Sequence, residues 1–414
     1  MDGNWKRSLE ALLVWAIPLV IICAMVLHRP DQRTVVPVYH AASANWLNQE
    51  TIYIGPLGMN YLPHFAVLYS PFHAMGVPAG DICWRIAITV FFVYSFYRLI
   101  NLCPTGNRHW NFLLASLFAM PICLGAIRNG QANVLLGAVS ALAAVFLIEK
   151  RLSAAAVTMA AAVAVKPLGA VMLMLAPFVY RRLALRVAIA LVGLLALPFL
   201  FGPTDYVISQ YQAFYQNLAD CSSHGTLLRF SNIYGILSEL SIPVSRNQMT
   251  FVGLAAASAT LAAWLAVAKR GHCLSIQPPP NTETVDGETK LRCDSPKSDH
   301  GLMLLALTTS YLMLFNPMAE SNGYVILAPA FAAISIRWIN DHQHRRLGWF
   351  LASVMLAMGL LPEILRRIDP LFVTWWKPLS TVVFLGLLLR VTLRRSQANA
   401  VIDDGESTNN RQAA

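Results

Sequence analysis

The chain has 414 residues, 56% of them hydrophobic and only 13% charged, with a mean hydropathy of +0.52 and a formal net charge of +10. Soluble domains carry about 25% charged residues, so the composition excludes a soluble enzyme and indicates an all-α, polytopic integral membrane protein. Lys and Arg sit in short clusters between apolar runs, a pattern that topology and anionic lipid explain and that argues against a nucleic-acid partner.

In chain order, the run 9–27 behind Lys6 and Arg7 is near the length that crosses a bilayer. No small-residue cleavage site follows it, so it reads as a retained first helix. A polar stretch, 28–60, comes next. Its tyrosines and tryptophan suit an amphipathic segment at the membrane surface, and 41–48 is the expected short helix of that kind. Tyr61-Leu62-Pro63 then opens an apolar run to Val77, and 81–100 is another. Further apolar runs occupy 110–127, 133–148, 152–165, 168–180, 183–201, 249–268, 301–316, 323–339, 347–361 and 372–393. With one net crossing in 61–100, part of it re-entrant or interfacial, the pattern predicts about 12 transmembrane helices, in the range of roughly 11–13.

Between those runs, 202–248 is a second long polar loop. Its Tyr/Gln-rich piece, 205–219, is expected to be an interfacial helix, with a turn at 222–225 and with His224 and Arg229 as weaker candidate residues. The stretch 271–300, with Pro278-Pro279-Pro280, reads as a disordered cytoplasmic linker, and 396–414 as a disordered tail. The whole of 1–395 is expected to form one transmembrane domain. The seven cysteines show no paired-ligand spacing, so neither a metal site nor a disulfide framework is expected. No phosphate loop or dinucleotide fingerprint calls for a cofactor.

Orientation follows from the basic clusters. An amino terminus in the cytoplasm also places Arg98/Arg108, Lys150/Arg151, Arg181/Arg182, Lys269/Arg270, Arg345/Arg346 and Arg394/Arg395 there. The polar interruptions then share the extracytoplasmic side: 28–60, 128–133, Lys166-Pro167, 202–248 and 316–322. Broken backbone within a membrane protein is tolerated where it lines a water-filled cavity, so one outward-facing polar cavity under two long loops is expected.

The chemistry concentrates in those breaks. In Arg128-Asn129-Gly130-Gln131-Ala132-Asn133, a cation precedes a glycine that permits a tight reversal, and two side-chain amides follow it. Lys166 stands before Pro167, which breaks the helix and frees backbone groups beside the ammonium. Both cations suit an anion such as a lipid-linked phosphate; each also suits a helix-end residue snorkelling to the surface. Glu320 suits a base, a sugar-hydroxyl ligand, a partner for a cation, or a helix cap. Asp31, His40 and Glu50 are the titratable groups of the first loop, and Tyr39, Trp46, Tyr53 and Tyr61 suit sugar stacking or a lipid interface. No close acidic pair appears on the outer side, so a DxD-type metal site is not expected.

Taken together, Tyr-x-x-Ala-Ser at 39–43, Tyr-x-Pro at 61–63, Gly-Gln-x-Asn at 130–133, Lys166-Pro167 and Pro-x-x-Glu...Tyr at 317–324 resemble glycosyltransferase family 87. These are multi-spanning enzymes of the glycosyltransferase-C superfamily, typified by polyprenol-phosphate-mannose-dependent mannosyltransferases, and the resemblance runs over most of 1–340. It implies a glycosyltransferase-C-like fold in the plasma (inner) membrane. The implied reaction moves a sugar, such as a mannose or another hexose, from a polyprenyl-phosphate donor to a glycan or glycolipid acceptor on the outer face, with inversion and without a nucleotide sugar. On that reading Arg128 and Lys166 hold the donor phosphate, while Asn129, Gln131, Asn133, Tyr39, Tyr61 and Asn322 line the substrate site. Asp31, Glu50 or Glu320 then serves as base, because the family's usual aspartate, about four residues before the loop tyrosine, is here Val35. The late motif, which often carries a histidine near its tyrosine, reads Ser321-Asn322-Gly323. The alternative is a non-catalytic relative or a transporter that binds a lipid or sugar in the same cavity.

Overall fold

The computed structural model describes residues 3–54, 58–102, 106–223, 230–269, 296–365, 368–369 and 372–412. No strand occurs among them, as an apolar chain in lipid requires: a helix satisfies its backbone polar groups within one segment. The first third of the chain forms α1 (Gly3–His28), α2 (Val36–Leu47), α3 (His64–Ala74), α4 (Ala79–Ile100) and α5 (Arg108–Arg128). Next come α6 (Asn133–Ile148), α7 (Leu152–Val165), α8 (Ala170–Leu175), α9 (Leu183–Ala196), α10 (Thr204–Ser223) and α11 (Ile233–Glu239). The last five are α12 (Arg246–Lys269), α13 (Pro296–Phe315), α14 (Ala328–Ile339), α15 (Arg345–Leu365) and α16 (Phe372–Gln412).

Among the described residues, seven helices are long and apolar enough to cross a membrane: α1, α4, α5, α9 with its extension to Leu200, α12, α15 and the first half of α16. Against the dozen crossings expected, the other apolar helices are shorter, namely α6, α7, the segment Pro167–Phe178 around α8, His300–Phe315 within α13, and α14. At 1.5 Å per residue the 16 residues of α6 cover about 24 Å, less than a hydrocarbon core of about 30 Å. The region 61–100 holds one helix of spanning length, α4, since α3 has only 11 residues.

The short α6 sits at the centre, packed against α4, α7 and α13. It is apolar nearly all round, so it gains by burying every face, and its residues are almost all buried. A central helix this short starts inside the protein, which is why Asn133 at its first turn is only 4% exposed.

Three boundaries differ from expectation. The first-loop helix starts at Val36, not at 41, because Pro37 pre-sets the backbone angle of the first helical turn and has no N–H to leave unpaired there. The second-loop helix α10 contains the expected 205–219, and it continues through Ser222 and Ser223, where a turn was expected. Helix α16 continues in its backbone through Ser396 to Gln412, where the composition predicts an unstructured tail. Of the expected linker, 271–295 lies outside the described residues, as do His224 and Arg229, while 296–300 already belongs to α13.

Candidate active site

The reversal between α5 and α6 is made by Gly130, whose φ of +64° lies in the left-handed region that favours glycine. A Cβ there would stand 2.5 Å from Val36 Cγ2, so the turn is pressed against the start of α2. The Val35 amide donates to the Asn129 carbonyl at 3.1 Å, which sets Val35 directly beside the turn.

A buried cation fastens the same turn from below. Arg85, with no exposed surface, donates through Nε to the Arg128 carbonyl at 3.1 Å and through Nη2 to Thr34 Oγ1 at 2.9 Å. The indole of Trp84 donates to the Gly130 carbonyl at 2.8 Å. Asp81, one helical turn before Arg85, lies 3.9 Å from Nη1 and accepts from His40 Nε2 at 2.7 Å. The second ring nitrogen of His40 lies 3.1 Å from His73 Nδ1. In the sequence Asp81 and Arg85 lie within one apolar run, 81–100, which hides them. The available signal was an opposite-charge pair at i and i+4 inside a membrane-length helix.

From this anchored turn a polar chain crosses the centre of the protein. Lys166 Nζ donates to Asn133 Oδ1 at 3.1 Å, Asn133 Nδ2 to Gln131 Oε1 at 3.2 Å, and Gln131 Nε2 to Glu320 Oε2 at 2.9 Å. Each member owes its place to a local break. Lys166 is extended (φ −158°, ψ 134°), the conformation favoured ahead of a proline, and this ends α7. Asn133 and Gln131 flank the entry to α6. Glu320 sits in a loop held on three sides. Asn232 Nδ2 donates to the Asn316 and Pro317 carbonyls at 2.8 and 3.1 Å, the Ser231 amide to the Ala319 carbonyl at 2.8 Å, and Lys377 Nζ to the Ser321 carbonyl at 2.8 Å. Glu320 makes no side-chain cap to the turn that follows it, so its carboxylate is not committed to that backbone.

Aromatic hydroxyls complete the enclosure. Tyr39 and Tyr61 share a 3.2 Å hydrogen bond, the Ala132 amide donates to Tyr39 Oη at 3.2 Å, and Lys166 Nζ lies 5.5 Å from the centre of the Tyr61 ring. Burial pushes the Tyr39 phenol up to about 12 and raises that of Tyr61 well above its ordinary value, so both remain neutral hydrogen-bonding groups at physiological pH. Asn322 packs on α5, where a Cβ on Gly125 would meet its Oδ1 at 2.5 Å.

The expected site residues therefore divide. Lys166, Asn133, Gln131, Glu320, Tyr39 and Tyr61 form one connected cluster, and Asn322 joins it through the loop of Glu320. Arg128 lines a separate cleft with Arg29 and Gln32. The Asn129 carbonyl is used by Val35, whereas Asp31 is exposed in the turn before α2. Glu50 is exposed at the far end of α2, where its carbonyl accepts from the Tyr206 hydroxyl at 2.8 Å. Neither Asp31 nor Glu50 belongs to the chain of hydrogen bonds that ends at Glu320. Among the described residues no group of His, Cys, Asp and Glu is arranged to hold a metal ion.

Compared with known protein families, residues 60–276 match glycosyltransferase family 87, a segment that includes Tyr61, the 128–133 turn and Lys166 but not Tyr39, Glu320 or Asn322. No curated protein and no solved structure matches the chain. With more than half of its length inside the family match and its long apolar helices, the chain belongs to glycosyltransferase family 87 and is a multi-pass membrane glycosyltransferase.

Proposed function

We propose that the protein transfers a hexose, such as mannose, from a polyprenyl-phosphate donor to a glycan or glycolipid acceptor. The reaction takes place on the extracytoplasmic face of the plasma (inner) membrane. The observation that carries this reading is the unbroken hydrogen-bonded path from the Lys166 ammonium through Asn133 and Gln131 to the Glu320 carboxylate. Such a path has an ammonium at one end and a carboxylate at the other, which supports a cation and a base acting in one polar cluster, as an inverting transfer needs.

In the proposed reaction Glu320 takes the proton from the acceptor hydroxyl. The freed oxygen attacks the anomeric carbon from the face opposite the phosphate. The anomeric carbon–oxygen bond to phosphate breaks, its electron pair leaves with the polyprenyl phosphate, and Lys166 balances the developing charge. Gln131 and Asn133 hold the sugar or phosphate in register, with Tyr39, Tyr61 and Asn322 lining the site. Glu320 is preferred over Asp31 and Glu50 because it is the carboxylate hydrogen-bonded into the cluster. Helices α2 and α10 lie at the membrane surface in this reading, and the shorter apolar helices complete about twelve crossings.

Purified full-length protein incubated with radiolabelled polyprenyl-phosphate hexoses provides the test. Label appearing in a product supports the transfer. Binding without turnover supports the non-catalytic alternative, and neither binding nor turnover removes the donor assignment.

A further inference from the structure

On the other flank of the 128–133 turn lies a cleft of about 230 Å³ that the transfer chemistry does not use. One wall is a stripe of α1, Ile22, Met25 and Val26, whose spacing of three and four residues puts them on one face. The other wall is His28, Arg29, Gln32 and Arg128. Arg29, Arg128, Gln32 and His28 thus line one opening, and no Asp or Glu is among its described lining residues. Arginine forks match phosphate oxygens in pairs, and the positive cleft is complementary to an anion. The apolar wall is continuous with the lipid-facing side of α1, where Ile21 is 55% and Leu27 63% exposed. A ligand that fits has an anionic head and an apolar chain.

We infer that this cleft seats the phosphate head group of an anionic membrane lipid. Arg29 and Arg128 hold the phosphate, and the chain runs along Ile22, Met25 and Val26. The site is distinct from the Lys166 cluster: none of its lining residues belongs to that hydrogen-bonded chain. The inference goes beyond the sugar-transfer reading and does not rest on it. Its consequence is mechanical. The Arg128 carbonyl is already fastened by Arg85, so an anion on the Arg128 side chain braces the last turn of α5 just ahead of Gln131 and Asn133.

The experiment uses full-length protein in detergent, with native mass spectrometry and thermal unfolding as readouts. The probes are phosphatidic acid, phosphatidylcholine with the same chains, and inorganic phosphate. The expected result is about one phosphatidic acid retained per chain together with a raised unfolding temperature, and neither effect with the other two probes. The double variant Arg29→Gln/Arg128→Gln lowers retention roughly tenfold or more. Met25→Trp, which fills the cleft from its apolar side and leaves both arginines in place, lowers it as well. Arg345→Gln/Arg346→Gln, at an exposed basic pair elsewhere, leaves retention unchanged. The inference is overturned by equal retention in the Arg29/Arg128 variant, by an equal loss in the Arg345/Arg346 variant, or by inorganic phosphate stabilising as strongly as the lipid.

Discussion

Lys166 Nζ stands 3.1 Å from Asn133 Oδ1 across a separation of 33 residues. Its hydrogen-bond partner is thus a neutral amide, and the nearest carboxylate in the network, Glu320, is reached only through Asn133 and Gln131. An ammonium carries three hydrogens, and this contact uses one of them. Its charge also faces the Tyr61 ring, with Nζ 5.5 Å from the ring centre, and in the proposed reaction its remaining hydrogens meet the donor phosphate.

Replacing Lys166 by alanine is expected to lower sugar transfer by at least about 100-fold, since a preorganised cation at a developing anion has an effect of that order. Lys166→Arg keeps the charge and retains part of the activity. Size-exclusion profile and unfolding temperature are the controls, because Asn133 Oδ1 loses a donor in the alanine variant. Wild-type turnover in a folded Lys166→Ala protein rules out the phosphate role.

Glu320→Gln keeps an oxygen that can accept from Gln131 and removes the proton acceptor. Loss of turnover of about 10²–10⁴-fold is expected, with donor binding retained. Asp31→Asn and Glu50→Gln, measured in the same transfer assay, are expected to stay within about threefold of wild type because both side chains are exposed and outside the hydrogen-bonded chain. If either of those variants collapses while Glu320→Gln turns over normally, the base has been misassigned.

Gly130→Ala places a Cβ 2.5 Å from Val36 Cγ2 on a left-handed backbone. The expected cost is about 1–3 kcal/mol, read as a lower unfolding temperature. Because the turn positions Gln131 and Asn133, transfer falls in the same variant.

Arg85→Met removes the guanidinium that ties the Arg128 carbonyl to Thr34. Breaking a buried charge pair from one side costs about 3–5 kcal/mol, and the lower end is expected here because His40 still reaches Asp81. Denaturant or thermal unfolding measures it. A loss below about 0.5 kcal/mol contradicts the anchoring role.

The Tyr39 phenol gives a pH signature. Burial raises it from the usual 10 to about 12, so the unfolded chain loses this proton at lower pH than the folded one. Its contribution to stability is complete below pH 10 and is lost as pH rises from 10 through 12. Tyr39→Phe is therefore expected to make the alkaline fall in unfolding temperature shallower than in wild type. An identical alkaline limb in both proteins contradicts the burial of that hydroxyl.

Much of this architecture is legible in residue order. Apolar runs interrupted at Gly130, at Lys166-Pro167 and at Asn316-Pro317 mark where helices stop, because glycine and proline act through local backbone geometry. Four of the cluster's members, Gln131, Asn133, Lys166 and Glu320, stand in or just after those breaks and are recognisable for that reason. Asp81 and Arg85 were less visible. A run of apolar neighbours masks a charge pair whose partners come from a loop about fifty residues away, as Thr34 does for Arg85.

By itself the sequence determined an all-helical membrane protein, its breaks and its family motifs, since hydropathy and backbone propensity are properties of short windows. Only the tertiary structure decided which polar side chains meet. It joined Lys166 to Glu320 through two amides, turned Arg128 away into its own cleft beside α1, and left Asp31 and Glu50 in the open. The reason is geometric. Which side chains face one another depends on how far each helix runs and how it is rotated against its neighbours. Those quantities are set by packing around the short, largely buried α6, not by residues near each other in the chain.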